Sequence, residues 1–142
     1  MTTIGVFAAI FDPQGRILCV KMGYGSKNWT TPGGRLEKGE SAAQALQREV
    51  EEESGYLIQP VRLVGAYSKT YNDDLVLMIE ASILGRADWL PDGEIVEIGF
   101  FPREELPEPM SLIVRTRIQD AFDKQVGILR EFTVNPSPHP HG

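Results

Sequence analysis

The 142-residue chain is short of cysteine, histidine, positive charge and long apolar runs. Its one cysteine, Cys19, excludes an intramolecular disulfide, and its apolar neighbours mark it as a buried, inert thiol. Both histidines, His139 and His141, fall in the Pro-rich end 135–142, where such a pair is incidental far more often than a metal site. No apolar run approaches the ~18 residues that a membrane span needs. Met1-Thr2-Thr3-Ile4 lacks the basic n-region of a secretory signal. No membrane partner and a cytoplasmic location are therefore expected. Lys and Arg number 14 against 20 Asp and Glu, a net charge of −6, which argues against a nucleic-acid partner. Small anionic substrates stay open, because a bound metal reverses the local field.

What the sequence does have is concentrated between Gly34 and Tyr56. Glu49, Glu52 and Glu53 stand at i, i+3 and i+4. On a helix that spacing puts all three on one face, with neighbouring Cβ atoms about 5–6 Å apart. A run such as Arg48 to Ser54 is usually a solvated acidic face. Carboxylates so close repel one another unless a cation joins them, and hard divalent ions take oxygen ligands.

The wider spacing decides between these readings. Gly34, Glu40, Arg48-Glu49, Glu52-Glu53 and Gly55 fall in one register, with Val50 and Tyr56 at the bulky positions. Seven fixed identities in register arise by chance on the order of once in 10⁸ starting positions. This pattern resembles the signature of the Nudix hydrolase family; Tyr56 stands where the family prefers an aliphatic residue.

The rest of the chain reads as strands around two helices. Ile4 to Phe11 and Ile17 to Val20 suggest a hairpin about the turn Asp12-Pro13-Gln14-Gly15. Met22 to Asn28 reads as a loop, Trp29 to Thr31 as a short strand, and Pro32-Gly33-Gly34 as a turn. Ser41 and Gln44 form a capping box, Gly55 a left-handed stop, and Ala43, Leu46 and Val50 an apolar stripe beside the glutamates. Strands are expected at Val61–Tyr71 and Leu75–Leu84, the latter central because it is apolar on both faces, and at Ile95–Phe101. A second helix spans Met110 to Val126, with Ile113, Ile118, Ala121 and Phe122 towards the core; Ile128 to Val134 is a terminal strand, a strap or an exchanged arm. One domain over 1–134 and a disordered tail at 135–142 are expected. The resemblance implies an α/β/α sandwich with a mixed central sheet, the simplest arrangement of these elements.

The resemblance also implies site residues. Glu49 and Glu53 correspond to the main metal-binding glutamates, with Glu52 also in the metal shell and Glu49 a candidate base. Arg48 is the residue that orients them, Gly33 offers a backbone carbonyl, and Glu40 braces the loop. An extra acid from a later loop is Glu94, favoured over Glu97 by its place before Phe100-Phe101. Arg35 and Lys38 are candidate phosphate contacts. Trp29 and Tyr71 are candidate stacking partners for a base, as are Tyr24 and Tyr67, although aromatics in strands are more often core. Implied with them are Mg²⁺ or Mn²⁺ and a small nucleotide substrate, triphosphates (oxidised ones included) being the first guess. ADP-ribose or another sugar nucleotide, an RNA 5′ end, and a non-catalytic sensing module are the alternatives. Family members are frequently dimers, which leaves a homodimer open.

Overall fold

The computed structural model describes residues 1–25 and 27–136. The expected tail lies largely outside them: both histidines fall beyond residue 136.

Ten elements follow the order β1 (Thr3–Ile10), β2 (Ile17–Met22), β3 (Trp29–Thr30), β4 (Gly33–Arg35), α1 (Ala42–Ser54), β5 (Tyr56–Lys69), β6 (Asp74–Arg86), β7 (Ile95–Phe101), α2 (Leu112–Phe122) and β8 (Ile128–Phe132). A mixed five-stranded sheet runs β4-β1-β6-β5-β8, and a three-stranded sheet runs β3-β2-β7. In the larger sheet β1 is parallel to β6, and β5 is parallel to β8. Alternation along β1 sends Val6, Ala8 and Ile10 into a core with Leu46 and Val50 of α1. Ala9, with Phe7 beside it, faces the other core, where Ile118 and Ala121 of α2 sit. One helix therefore covers each face, and β6 is the central strand, as the sequence suggested. No helix among the described residues is long and apolar enough to cross a membrane.

Four expectations need correction. The turn at Asp12 forms, with the Gly15 N–H donating to the Asp12 carbonyl at 2.9 Å, yet β1 and β2 do not pair as a hairpin. A single bridge, Phe11 to Ile17, joins them before they enter different sheets. Long-range partners win: β1 is already hydrogen-bonded on both edges, to β4 and β6, while β2 pairs with β3 and β7. The glycines expected to make a turn form β4, against Gly5, Val6 and Phe7. β5 starts at Tyr56, immediately after the helix stop at Gly55, and ends at Lys69 rather than Tyr71. In α1 it is Ala45, not Ala43, that joins Leu46 and Val50 among the buried residues; Ala43, in the first turn, is exposed.

The capping box of α1 is present in both directions: the Ser41 side chain accepts from the Gln44 backbone N–H, and the Gln44 side chain accepts from the Ser41 N–H. Gly55 ends the helix at φ 79°, a left-handed conformation that glycine adopts at low cost.

The far side is tied by a buried carboxylate. Asp120 of α2 accepts a hydrogen bond from the Tyr67 hydroxyl at 2.9 Å and two from the Arg130 guanidinium at 2.7 and 2.8 Å, joining α2, β5 and β8. Burial alone would raise the Asp120 carboxyl, but Arg130 and Tyr67 outweigh it and the net shift is downward. A depressed folded pKa gives stability that is present above the unfolded carboxyl's value and lost as pH falls through the folded one. Asp120→Asn is expected to cost about 2 kcal/mol at pH 7, discounted for the half-exposed Arg130. The gap to wild type should close in acid, which thermal melts from pH 7 down to pH 3 would measure.

Candidate active site

Three pieces of chain build the site. The first is α1, which aims Glu49 and Glu53 at the Gly33–Gly34 strand. The Gly33 N–H donates to Glu53 Oε1 at 3.0 Å. Gly34 packs so closely on Glu49 that a Cβ there would stand 2.5 Å from its carboxyl carbon. The second is Arg48, which gathers the surrounding acids. Its Nε and Nη2 donate to both oxygens of Glu40 at 2.7 and 2.9 Å, and its Nη1 donates to Glu49 Oε1 at 2.7 Å. Nη2 also donates to the Arg35 carbonyl at 3.2 Å, and Glu52 stands 3.5 Å from Nη1. The Arg48 fork holds the Glu40 carboxyl down at about 2, helped by the Glu37 N–H. Glu40 thus locks Arg48, and Arg48 in turn orients Glu49.

The third piece is a cavity of about 490 Å³ bordered by Glu49, Glu53, Gly33 and Gly34. Glu94, Arg35 and Trp29 also line it, and so does Tyr24; Glu97, Lys38 and Tyr71 do not. Glu97 instead lies on β7, opposite Lys21 in the strand pairing. Tyr67 is fully buried in the core, so it is not a stacking surface. Glu52 is turned outward, its side chain 58% exposed, and among the described residues no three His, Cys, Asp or Glu side chains form a finished ligand cluster.

Burial pushes the Glu53 carboxyl well above the usual carboxylate range, and Glu49 and Glu52 add to the rise against the pull of the Gly33 N–H. Partial desolvation and Glu49 also raise Glu52. Two half-buried carboxyls beside the Gly33–Gly34 strand, with Glu52 a turn away, are an all-oxygen donor set that suits a hard divalent cation. The residues present fit such an ion.

Several lining residues went unread in the sequence. Asp74 accepts from Arg35 Nη1 at 3.3 Å and lies 3.7 Å from Lys69 Nζ; both cations line the cavity with it. Arg117 of α2 is only 3% exposed and also lines the cavity. Burial pulls it down to about 10, opposed by Tyr67 and Asp74, so it remains a cation at neutral pH. The signal for Arg117 was present: it stands four residues after Ile113 and next to Ile118, inside the apolar stripe of α2.

The family model for the NUDIX domain matches residues 1–120, and the chain belongs to that family. It is 33% identical over 84 residues to the mouse protein named 8-oxo-dGDP phosphatase NUDT18. That match covers 58% of this chain and 26% of the mouse protein, so the chain spans about a quarter of that relative's length. A MutT-like protein of Streptomyces ambofaciens is 26% identical over 121 residues, 85% of this chain and 77% of that protein. Among solved structures, an ADP-ribose pyrophosphatase from Streptococcus suis superposes with a TM-score of 0.77 at 25% identity, covering 92% of this chain and 99% of the other. A NUDIX hydrolase from Nitrosomonas europaea reaches 0.81 at 19% identity over 92% and 78%, a likeness of fold.

Proposed function

We propose that the protein hydrolyses a diphosphate linkage in nucleoside diphosphate derivatives, with nucleoside triphosphates as first substrates and Mg²⁺ or Mn²⁺ as cofactor. The observation that carries this reading is the half-buried pair Glu49 and Glu53 lining a cavity large enough for a nucleotide. Glu49, Glu53 and the Gly33 carbonyl would hold the metal; Glu94, which lines the same cavity, would add a further oxygen, and Glu52, one turn away on α1 and turned outward, would join only by swinging in. Once bound, a divalent ion neutralises the diphosphate and lowers the pKa of a water. The chain's own residues do the rest. Arg48 fixes the Glu49 carboxylate, leaving it placed to take a proton from water. Gly34 keeps a side chain out of the space beside Glu49, and Gly33 lets the strand pack closely on Val6 and Phe7. Arg35, at the rim, supports the phosphates electrostatically while Asp74 limits its reach.

The names of the relatives favour oxidised guanine nucleotides and ADP-ribose as the next substrates to try. Phosphate and pyrophosphate release should be followed over triphosphates, 8-oxo-guanine nucleotides and ADP-ribose, with Mg²⁺ and with EDTA. Turnover of at least one compound in Mg²⁺ and none in EDTA is expected. Binding without turnover of any compound would favour a sensing module instead.

A further inference from the structure

The cavity has a second chemistry besides its acids. Besides the glutamates, its walls include Phe7, Trp29, Val76, Ile113 and Val114, the apolar and aromatic lining that a flat ring prefers. Into this lining α2 sends one cation. The Arg117 guanidinium lies on the Phe7 ring, with Cζ 4.5 Å from its centroid. Its Nη2 donates a long hydrogen bond to Thr30 Oγ1 at 3.4 Å. Its Nε has no hydrogen-bond partner among the described residues. Asp74 acts on it only at a distance; no carboxylate reaches salt-bridge range of Arg117 among the described residues.

Buried charges are ordinarily paired, because an unpaired one carries a heavy desolvation cost. This one borders the cavity, stacked on Phe7, with its Nε buried and unpartnered among the described residues. A guanidinium offers five N–H donors in a planar fork and no acceptor. It therefore welcomes a base edge that presents acceptors and is mismatched with one that presents an amino group. The keto oxygen and N7 of a 6-oxopurine are two adjacent acceptors that such a fork grips together, and a 4-oxopyrimidine offers one. Adenine and cytosine put N–H₂ at the same place.

From this juxtaposition we infer that Arg117 reads the base, selecting nucleotides with a keto group at purine C6 or pyrimidine C4 over their amino counterparts. The inference rests on the proposed nucleotide site but not on hydrolysis. Phosphate is the other candidate ligand for a buried cation. Lys69 and Arg35 line the same cavity and are suited to phosphate, whereas the Phe7 ring under the Arg117 guanidinium suits a flat base, and binding of paired nucleotides separates the two.

The pairs IMP/AMP and UMP/CMP differ at that one edge and are not triphosphates, so binding can be measured without turnover. Calorimetry with wild-type protein in Mg²⁺ is expected to give IMP and UMP about tenfold tighter than AMP and CMP. Arg117→Met keeps the length of the stem and removes the charge. It should erase that preference and leave the melting temperature unchanged or higher, because an unpaired buried cation has gone. Arg117→Lys keeps the charge but lacks the fork, and should lose most of the preference too. A merely structural arginine would instead lower the melting temperature in both variants and leave the preference alone. Equal binding of the keto and amino members by wild type, or binding of none of the four, overturns the inference. So does an equal loss for all four in Arg117→Met, which would assign the residue to phosphate. Should no triphosphate be hydrolysed while the keto preference holds, the hydrolase reading falls and this one stands.

Discussion

Glu53→Gln is expected to lower turnover about 10³-fold while leaving the fold intact. The substitution is isosteric, and the amide oxygen can keep the hydrogen bond from the Gly33 N–H. What disappears is the negative charge at the most buried point of the acidic cluster. With metal absent, burial first and then Glu49 and Glu52 disfavour the ionised form of Glu53, a cost to folding above the ordinary carboxyl range that the amide removes, so the variant should hold or raise the melting temperature in EDTA at neutral pH. With Mg²⁺ present the wild type gains stability from the ion and the variant gains less. Rates and melts on the same two proteins, with and without Mg²⁺, test both halves. Equal turnover by wild type and Glu53→Gln would remove Glu53 from the chemistry.

Gly34→Ala is the second large effect, and it acts by displacement. The added methyl would fall 2.5 Å from the Glu49 carboxyl carbon and 2.7 Å from both its oxygens. The obstacle is the far end of a flexible side chain, so the carboxylate yields and the backbone stays. A shift of about 1 Å in a catalytic group costs on the order of 10²-fold in rate. The expected result is a drop of that size in kcat, with the melting temperature within a few degrees of wild type. Gly33→Ala provides the contrast. Its Cβ would meet the Val6 carbonyl oxygen at 2.1 Å and the Phe7 backbone at 2.6 Å, neither of which can turn aside. That variant should fail by unfolding, visible as loss of the thermal transition rather than as a slow, well-folded enzyme. A Gly34→Ala protein with full activity would mean that the position of Glu49 does not matter.

The glutamate helix and its caps were legible because their determinants are local. Ser41, Gln44 and Gly55 act within a turn of their own position, and the spacing of Glu49 and Glu53 specifies a face wherever the helix goes. The central strand was legible because apolar residues on both faces leave it no other place. Strand partners were not. The turn at Asp12 is a strong hairpin signal, yet β1 pairs with residues 74–81, a choice made by tertiary packing. The acids followed the same rule. Glu94 and Glu97 are close in sequence, but only Glu94, next to the Gly93 backbone turn, borders the cavity. Lys38 and Tyr71 looked as suitable as Arg35 and Trp29 by composition alone; their absence from the lining is a matter of where the loop and the 3₁₀ turn at Thr70–Asn72 point. Arg117 was hidden because Ile113, Ile118 and Ala121 mark α2 as a core helix, which drew attention from the two polar residues buried with them, Arg117 and Asp120.

The parallel pairing of β1 with β6 sets when the cavity can exist. Phe7 pairs with Met78 across the sheet, and the Arg117 guanidinium that lies on the Phe7 ring comes from 110 positions further along the chain. A nascent chain on the ribosome acquires the glutamate helix early, with its acids already clustered. It has nothing to hold a base against until residues beyond 117 have emerged and α2 has closed over the sheet. Loop closures of this span are slow relative to helix formation. The acidic face thus draws on residues up to 55, whereas the cavity is complete only when α2 is in place.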